Sequence, residues 1–173
     1  MYLKGLIRNV LDFPKEGIVF RDITTVLQNP QGLRTAIDGM QQELEGLEFD
    51  YIIGPESRGF IFGVPISYNM GKGFIPVRKK GKLPYQTKAK EYYLEYGTAT
   101  IEIHTDAFKP GQKVVIVDDL LATGGTSKAM IDLIEDMGGE VIKLVYLIEL
   151  DFLHGRDLLK GYNVTSIINY DSE

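Results

Sequence analysis

There is no cysteine among the 173 residues. Disulfides, a thiol nucleophile and thiolate metal sites are therefore out of consideration. Histidine is scarce as well. His104 and His154 are the two present, too few for a histidine-rich centre, and both read as structural. No apolar run reaches the roughly 18 residues that would suggest a bilayer span. The first residues carry Lys4, Arg8 and Asp12 and lack the apolar stretch of a signal peptide. Cytoplasmic residence with no membrane partner is the expectation. Positive charge is also in short supply. Nineteen Lys and Arg against 24 Asp and Glu give a net charge of −5, which disfavours nucleic acid as a partner. A small phosphate ligand is not disfavoured, because it needs only local positive charge.

The size and the hydrophobic fraction of 44% suit a single domain spanning residues 1–173 with a real core. Residues 2–12 read as a short amphipathic helix ended by Pro14. An extended segment covers 18–23, and a helix 31–45 carries Leu33, Ile37, Met40 and Leu44 on one face. A buried strand at 49–53 stops at Gly54-Pro55. A helix at 60–70 should be kinked or broken by Pro65, and a strand follows at 74–77. Arg78 to Glu91 (RKKGKLPYQTKAKE) is rich in Lys and reads as an exposed, mobile loop. Paired strands around Gly97, a strand 113–118, a helix 127–137 and strands 141–148 and 164–168 complete the chain. Strands alternating with helices predict an α/β fold with a mostly parallel central sheet flanked by helices.

The most informative stretch is Val114 to Thr126, VVIVDDLLATGGT. A buried strand runs into Asp118 and Asp119, and a loop of small residues, Ala122, Thr123, Gly124, Gly125 and Thr126, opens a helix. Ligands of open α/β sheets sit at the carboxyl ends of strands. Backbone N–H groups at a helix start hold phosphate, and the small residues let them approach closely. Hydrogen bonds to a charged phosphate are worth about 1.5–3 kcal/mol each, against about 0.3–1 kcal/mol for the helix dipole. Directed donors should therefore hold the anion. The carboxylates suit sugar hydroxyls, so the stretch points to a ligand with both phosphate and sugar.

Other segments are ambiguous on spacing alone. In Gly54 to Gly59 (GPESRG), Arg58 can fork onto pyrophosphate or pair with Glu56 at the surface. Lys79, Lys80, Lys82, Lys88 and Lys90 read as a solvated charge run. Alternation in Tyr93-Leu94-Glu95-Tyr96 puts Glu95 on a strand face where it reads as a solvated carboxylate. Val19-Phe20-Arg21 reads as a core strand bearing one Arg.

VVIVDDLLATGGT resembles the 5-phosphoribosyl-1-pyrophosphate (PRPP) signature of the type I phosphoribosyltransferases. Val19 to Ile23, Glu56 to Phe60, Arg78 to Pro84 and Leu94 to Gly97 are similar to segments of the adenine-specific branch of that family. The likeness runs in order from about Phe13 to Arg156. It implies the type I phosphoribosyltransferase fold with a small hood and a flexible loop, and the purine-salvage reaction of adenine with PRPP to give AMP and pyrophosphate. Asp118, Asp119 and Ala122 to Thr126 would take the ribose and its phosphate. Glu56, Ser57, Arg58, Arg78, Lys82 and Tyr96 would take pyrophosphate, with a non-proline cis bond at Glu56–Ser57. Arg78 and Lys82 would reach the neighbouring subunit's ligand, which implies a homodimer. Val19, Phe20, Arg21 and Leu150 would hold adenine. Glu95 would handle a proton at N7 as N9 attacks, and Arg58 would stabilise the leaving group. Mg²⁺ is implied as the cofactor, held mainly by ligand and water rather than directly by protein. A phosphoribosyltransferase for another purine such as xanthine is one alternative. A PRPP-sensing regulatory module is another, disfavoured because about a dozen residues precede the family-like region, too few for a winged helix.

Overall fold

The structure, a computed structural model, describes residues 2–94 and 97–173. Its core is a seven-stranded sheet. β3 (Tyr51–Pro55), β4 (Gly73–Lys79), β7 (Lys113–Leu121), β8 (Glu140–Leu150) and β9 (Val164–Tyr170) run parallel, and β5 (Thr87–Leu94) with β6 (Gly97–His104) forms an antiparallel hairpin. The order is β5-β6-β4-β3-β7-β8-β9. A separate two-stranded sheet pairs β1 (Arg8–Leu11) with β2 (Val19–Asp22).

The apolar run of β7 explains its central place. Val115 and Val117 face one layer, against α3 (Pro30–Gln42) and α4 (Arg58–Met70), through Met40, Phe62 and Ile66. Val114 and Ile116 face the other, against α5 (Gly125–Asp136), through Met130, Ile131 and Ile134. All four strand residues are fully buried. A strand buried on both faces reads as a continuous apolar run rather than an alternation, and each such side chain contributes about 1.5–3 kcal/mol on burial. α3 starts where it does because the Asn29 side chain accepts from the Gly32 N–H at 2.8 Å and Pro30 supplies a preset first residue. α4 continues through Pro65 to Met70 and ends on Gly71 in the left-handed region, φ 65°.

Four expectations need correction. Residues 2–12 are not one helix: α1 (Tyr2–Leu6) stops, and β1 pairs with β2 through Asn9↔Arg21 and Val10↔Phe20. Tertiary pairing overrides a weak helical pattern there. Only residues 80–86 of segment 78–91 form a loop, since β4 runs to Lys79 and β5 starts at Thr87. Lys-rich sequence is how an edge strand resists pairing with other chains, and β5 is that edge. Gly54 and Pro55 lie inside β3 rather than ending it. The central strand extends past Asp118 to Leu121, held by pairing of Leu120 with Ile148 and of Leu121 with Glu149. A helix α2 (Thr24–Gln28) was not anticipated. No helix among the described residues is long and apolar enough to cross a membrane.

Candidate active site

At the carboxyl ends of β3, β4 and β7 lies a cleft of about 470 Å³. It gathers Glu56, Ser57 and Arg58 after β3, Arg78 and Lys79 at the end of β4, Asp118 and Asp119 within β7, and the whole of Ala122 to Thr126. The Glu56–Ser57 peptide is cis, as anticipated.

Both aspartates are buried. The Asp119 N–H donates to Asp118 Oδ1 at 2.8 Å. Burial first, and the neighbouring Asp119 charge second, push the Asp118 carboxyl well above its ordinary value. Arg58 does not pair with Glu56. Its Nε lies 2.5 Å from Asp119 Oδ2, and its guanidinium sits 5.6 Å over the Phe20 ring. Arg58 thereby ties the main-sheet cleft to β2. Gly59 permits this closeness, since a Cβ there would lie 2.7 Å from Pro55 Cδ and 3.1 Å from Asp118 Oδ1.

The loop after β7 rests on a second backbone. Gly124, φ 83°, lies so near Gly155 that a Cβ on it would be 2.4 Å from the Gly155 carbonyl oxygen. The Thr126 hydroxyl donates to Tyr92 Oη at 3.1 Å, joining the loop to the hairpin. Beneath it, the buried Tyr146 hydroxyl donates to Ser127 Oγ, and burial pushes that phenol up.

Glu56 Oε1 accepts from the Lys79 N–H at 2.7 Å and faces Arg78 Nε at 3.3 Å. The N–H bond, followed by the Arg78 charge against an opposing burial penalty, holds Glu56 below its ordinary 4.5. A folded-state value below the unfolded one stabilises above the unfolded pKa and is lost as pH falls through the folded pKa. The native protein should therefore lose melting temperature more steeply below pH 4.5 than Glu56→Gln does, as measured by thermal melts across an acid series.

The cleft thus brings together Glu56, Ser57, Arg58, Arg78, Asp118, Asp119 and Ala122 to Thr126. Arg78 faces Glu56 of its own chain. Lys82, Val19, Phe20, Arg21 and Leu150 do not line the cleft, although Phe20 is joined to it by Arg58. Glu95 and Tyr96 lie outside the described residues. Neither His104 nor His154 lines the cleft. Sequence reasoning missed Lys79, Tyr92 and Ser127 as lining residues and Gly155 as the loop's support. Period-two placement of Tyr92 on the β5 face shared with Lys90 could have flagged the first tyrosine, but Gly155 left no signal. Among the described residues, no three His, Asp or Glu converge as a metal site.

A family model described as the phosphoribosyl transferase domain matches residues 22–171. An adenine phosphoribosyltransferase of Lachnoclostridium phytofermentans is 63% identical over 168 residues, 97% of this chain and 97% of that protein. The crystal structure of adenine phosphoribosyltransferase from Thermoanaerobacter pseudethanolicus superposes with a TM-score of 0.95 at 52% identity, covering 98% of each chain. That of the Saccharomyces cerevisiae enzyme, complexed with an imino-altritol bisphosphate and adenine, gives 0.92 at 39% identity and 96% of each chain. The matched segment takes in the whole cleft from Glu56 to Ser127 and its support at Gly155, and by it the chain belongs to the phosphoribosyl transferase domain family.

Proposed function

We infer that this protein transfers the 5-phosphoribosyl group of PRPP to adenine, giving AMP and pyrophosphate in purine salvage. One observation carries the reading: a loop built for phosphate, two buried aspartates and Arg58 meet in one cleft, in a chain whose full-length relatives bear the name of this activity. The N9–C1′ bond forms as the C1′–pyrophosphate bond breaks. Backbone N–H groups of Ala122 to Thr126 and the Thr123 and Thr126 hydroxyls hold the 5-phosphate. Asp118 and Asp119 hold the ribose hydroxyls and stabilise positive charge developing at C1′. Arg58, Arg78 and Ser57 receive the departing pyrophosphate, with Glu56 orienting Arg78. Val19, Phe20, Arg21 and Leu150 form the purine side.

Mg²⁺ suits this donor set. Two buried carboxylates, one already paired to Arg58, offer no all-protein cage, which matches an ion that keeps several waters and rides on phosphate. When bound, it neutralises charge on the pyrophosphate oxygens. Arg58 and Arg78 then supply the fixed protein charge beside it.

Glu95 is assigned the proton at adenine N7, and Tyr96 a place beside PRPP. Glu95→Gln should lower turnover by about 10²–10⁴-fold with PRPP affinity kept, as measured by single-turnover kinetics and calorimetry. Unchanged turnover would remove Glu95 from the mechanism.

We further assign a homodimer working as one domain per chain in the cytoplasm, without nucleic-acid or membrane partners. Exposed Val64 and Tyr68, one turn apart on α4, and Lys82, outside its own cleft, support the dimer. Incubation with PRPP, Mg²⁺ and adenine tests the reaction by AMP formation. Adenine should be converted at least about tenfold faster than hypoxanthine or xanthine, since a purine lacking the expected amino group leaves polar groups unpaired. Equal conversion would overturn the specificity.

A further inference from the structure

β2 is not hydrogen-bonded to the seven-stranded sheet. Its ladder partner is β1. Its place relative to the cleft therefore depends on side chains that cross between the sheets. Phe20 makes one crossing, under Arg58. Arg21, on the opposite face of the strand, makes the other. Its guanidinium lies 4.1 Å from the centre of the Tyr170 ring, at the end of β9. Nη2 donates to the Ser172 carbonyl at 3.1 Å, and Nη1 donates to Asn9 Oδ1 at 2.7 Å. The guanidinium is thus clamped between the last strand of one sheet and the first strand of the other. Lys4 completes the arrangement. Its Nζ lies 4.4 Å from the same ring and donates to the Asn169 carbonyl at 2.6 Å. Tyr170 is buried and carries two cations on one ring, a face of negative quadrupole.

We propose that Tyr170 is a positioning residue for the purine side of the site: by holding Arg21 it sets the orientation of Phe20 on the other face of β2. This rests on the reading of β2 as the adenine strand. The ring acts on base binding; its one link to the PRPP side, built on β3, β4 and β7, is the 5.6 Å approach of Arg58 to Phe20, and Arg58 is held independently by Asp119. A flat guanidinium between a ring and two acceptors admits one rotamer, and a strand with one face so pinned cannot rotate about its axis.

Steady-state kinetics separate this from a merely structural role. Tyr170→Leu should raise KM for adenine about tenfold, the scale of a lost partly buried cation–π contact, with KM for PRPP unchanged. Tyr170→Phe, which keeps the ring, should restore it. Arg21→Lys keeps the charge but loses the flat fork, and it should give the same split if Tyr170→Leu does not fold. The double variant should fall short of the sum of the two singles, because the Arg21–Tyr170 contact they share can be lost only once. Parallel rises in both KM values, a failure of Tyr170→Phe to restore, or a lower melting temperature with both KM values intact would overturn the proposal. Phe20→Leu tests the parent reading. If adenine KM is unmoved there, β2 is not the purine strand. If it rises while Tyr170→Leu and Arg21→Lys leave it unmoved, the positioning role alone fails.

Discussion

Asp119→Asn should lower kcat/KM by about 10²–10³-fold, the scale of losing one preorganised group that meets transition-state charge, while the melting temperature holds or rises. Asp119 is buried beside a second carboxyl, and burial plus mutual repulsion already push Asp118 up. Neutralising Asp119 relieves that repulsion. The ion pair it gives up reaches Arg58, whose side chain is 43% exposed, so solvent screening makes the lost contact small. Stability and activity therefore move apart. Arg58, released from its internal partner, becomes freer to meet pyrophosphate, which leaves the PRPP KM less affected than kcat. Steady-state kinetics beside thermal melts read both quantities. A variant retaining turnover within about threefold would take Asp119 out of the transition state's surroundings.

Gly155→Ala should be comparably damaging, although Gly155 bears no functional group and lies outside the cleft lining. A Cβ there would lie 2.2 Å from the Ala122 carbonyl oxygen and 3.1 Å from the Gly124 nitrogen. Both neighbours are backbone, so no side chain can turn aside, and the phosphate loop itself must move. A displacement near 1 Å of positioning groups costs about 10²-fold, here expressed first in KM for PRPP. Gly5→Ala is the control. It lies in α1 with nothing within 4 Å of the added Cβ, and both KM values should stay as they are. If Gly155→Ala binds PRPP as the native protein does, the loop is not supported by that contact.

How far the sequence alone reaches follows from what each element depends on. β7 and its loop were legible because their signals are local: four apolar residues, two carboxylates, then small residues at a helix start. The helix through Pro65 and the strands on either side of it were legible as apolar runs, but their punctuation misled: α4 runs on past Pro65, and Gly54 and Pro55 lie inside β3. β1 was not, because Arg8 to Leu11 forms a strand only by pairing with residues about ten positions on, and its helical spacing was as good as its strand spacing. β5 was hidden by its own lysines. Solvated charge marks a loop and an edge strand alike, and Lys90 shows its allegiance only by lying 3.6 Å from Asp132 on α5. Within the site, the aspartates and the loop carried intrinsic chemistry. Arg58 was ambiguous between Glu56 and an anion, and its actual partner, Asp119, is 61 positions distant. Gly155 was invisible, since close approach of two backbones has no signature in either segment.

The hairpin of β5 and β6 has an uneven mounting. Its two strands pair along eight positions, whereas among the described residues the ladder of β6 on β4 has two rungs, Arg78↔Glu102 and Lys79↔Ile101, continued by the Lys80 N–H donating to the Thr100 carbonyl at 3.1 Å. Mechanically this is a stiff arm on a narrow hinge, and the hinge residues Arg78 and Lys79 are themselves part of the cleft wall. The arm's free side touches α5 through Lys90, and its Tyr92 oxygen is held by Thr126. The arm is therefore fastened at two places, at its base beside β4 and along its free side through Lys90 and Tyr92, and both fastenings adjoin the cleft or the loop after β7.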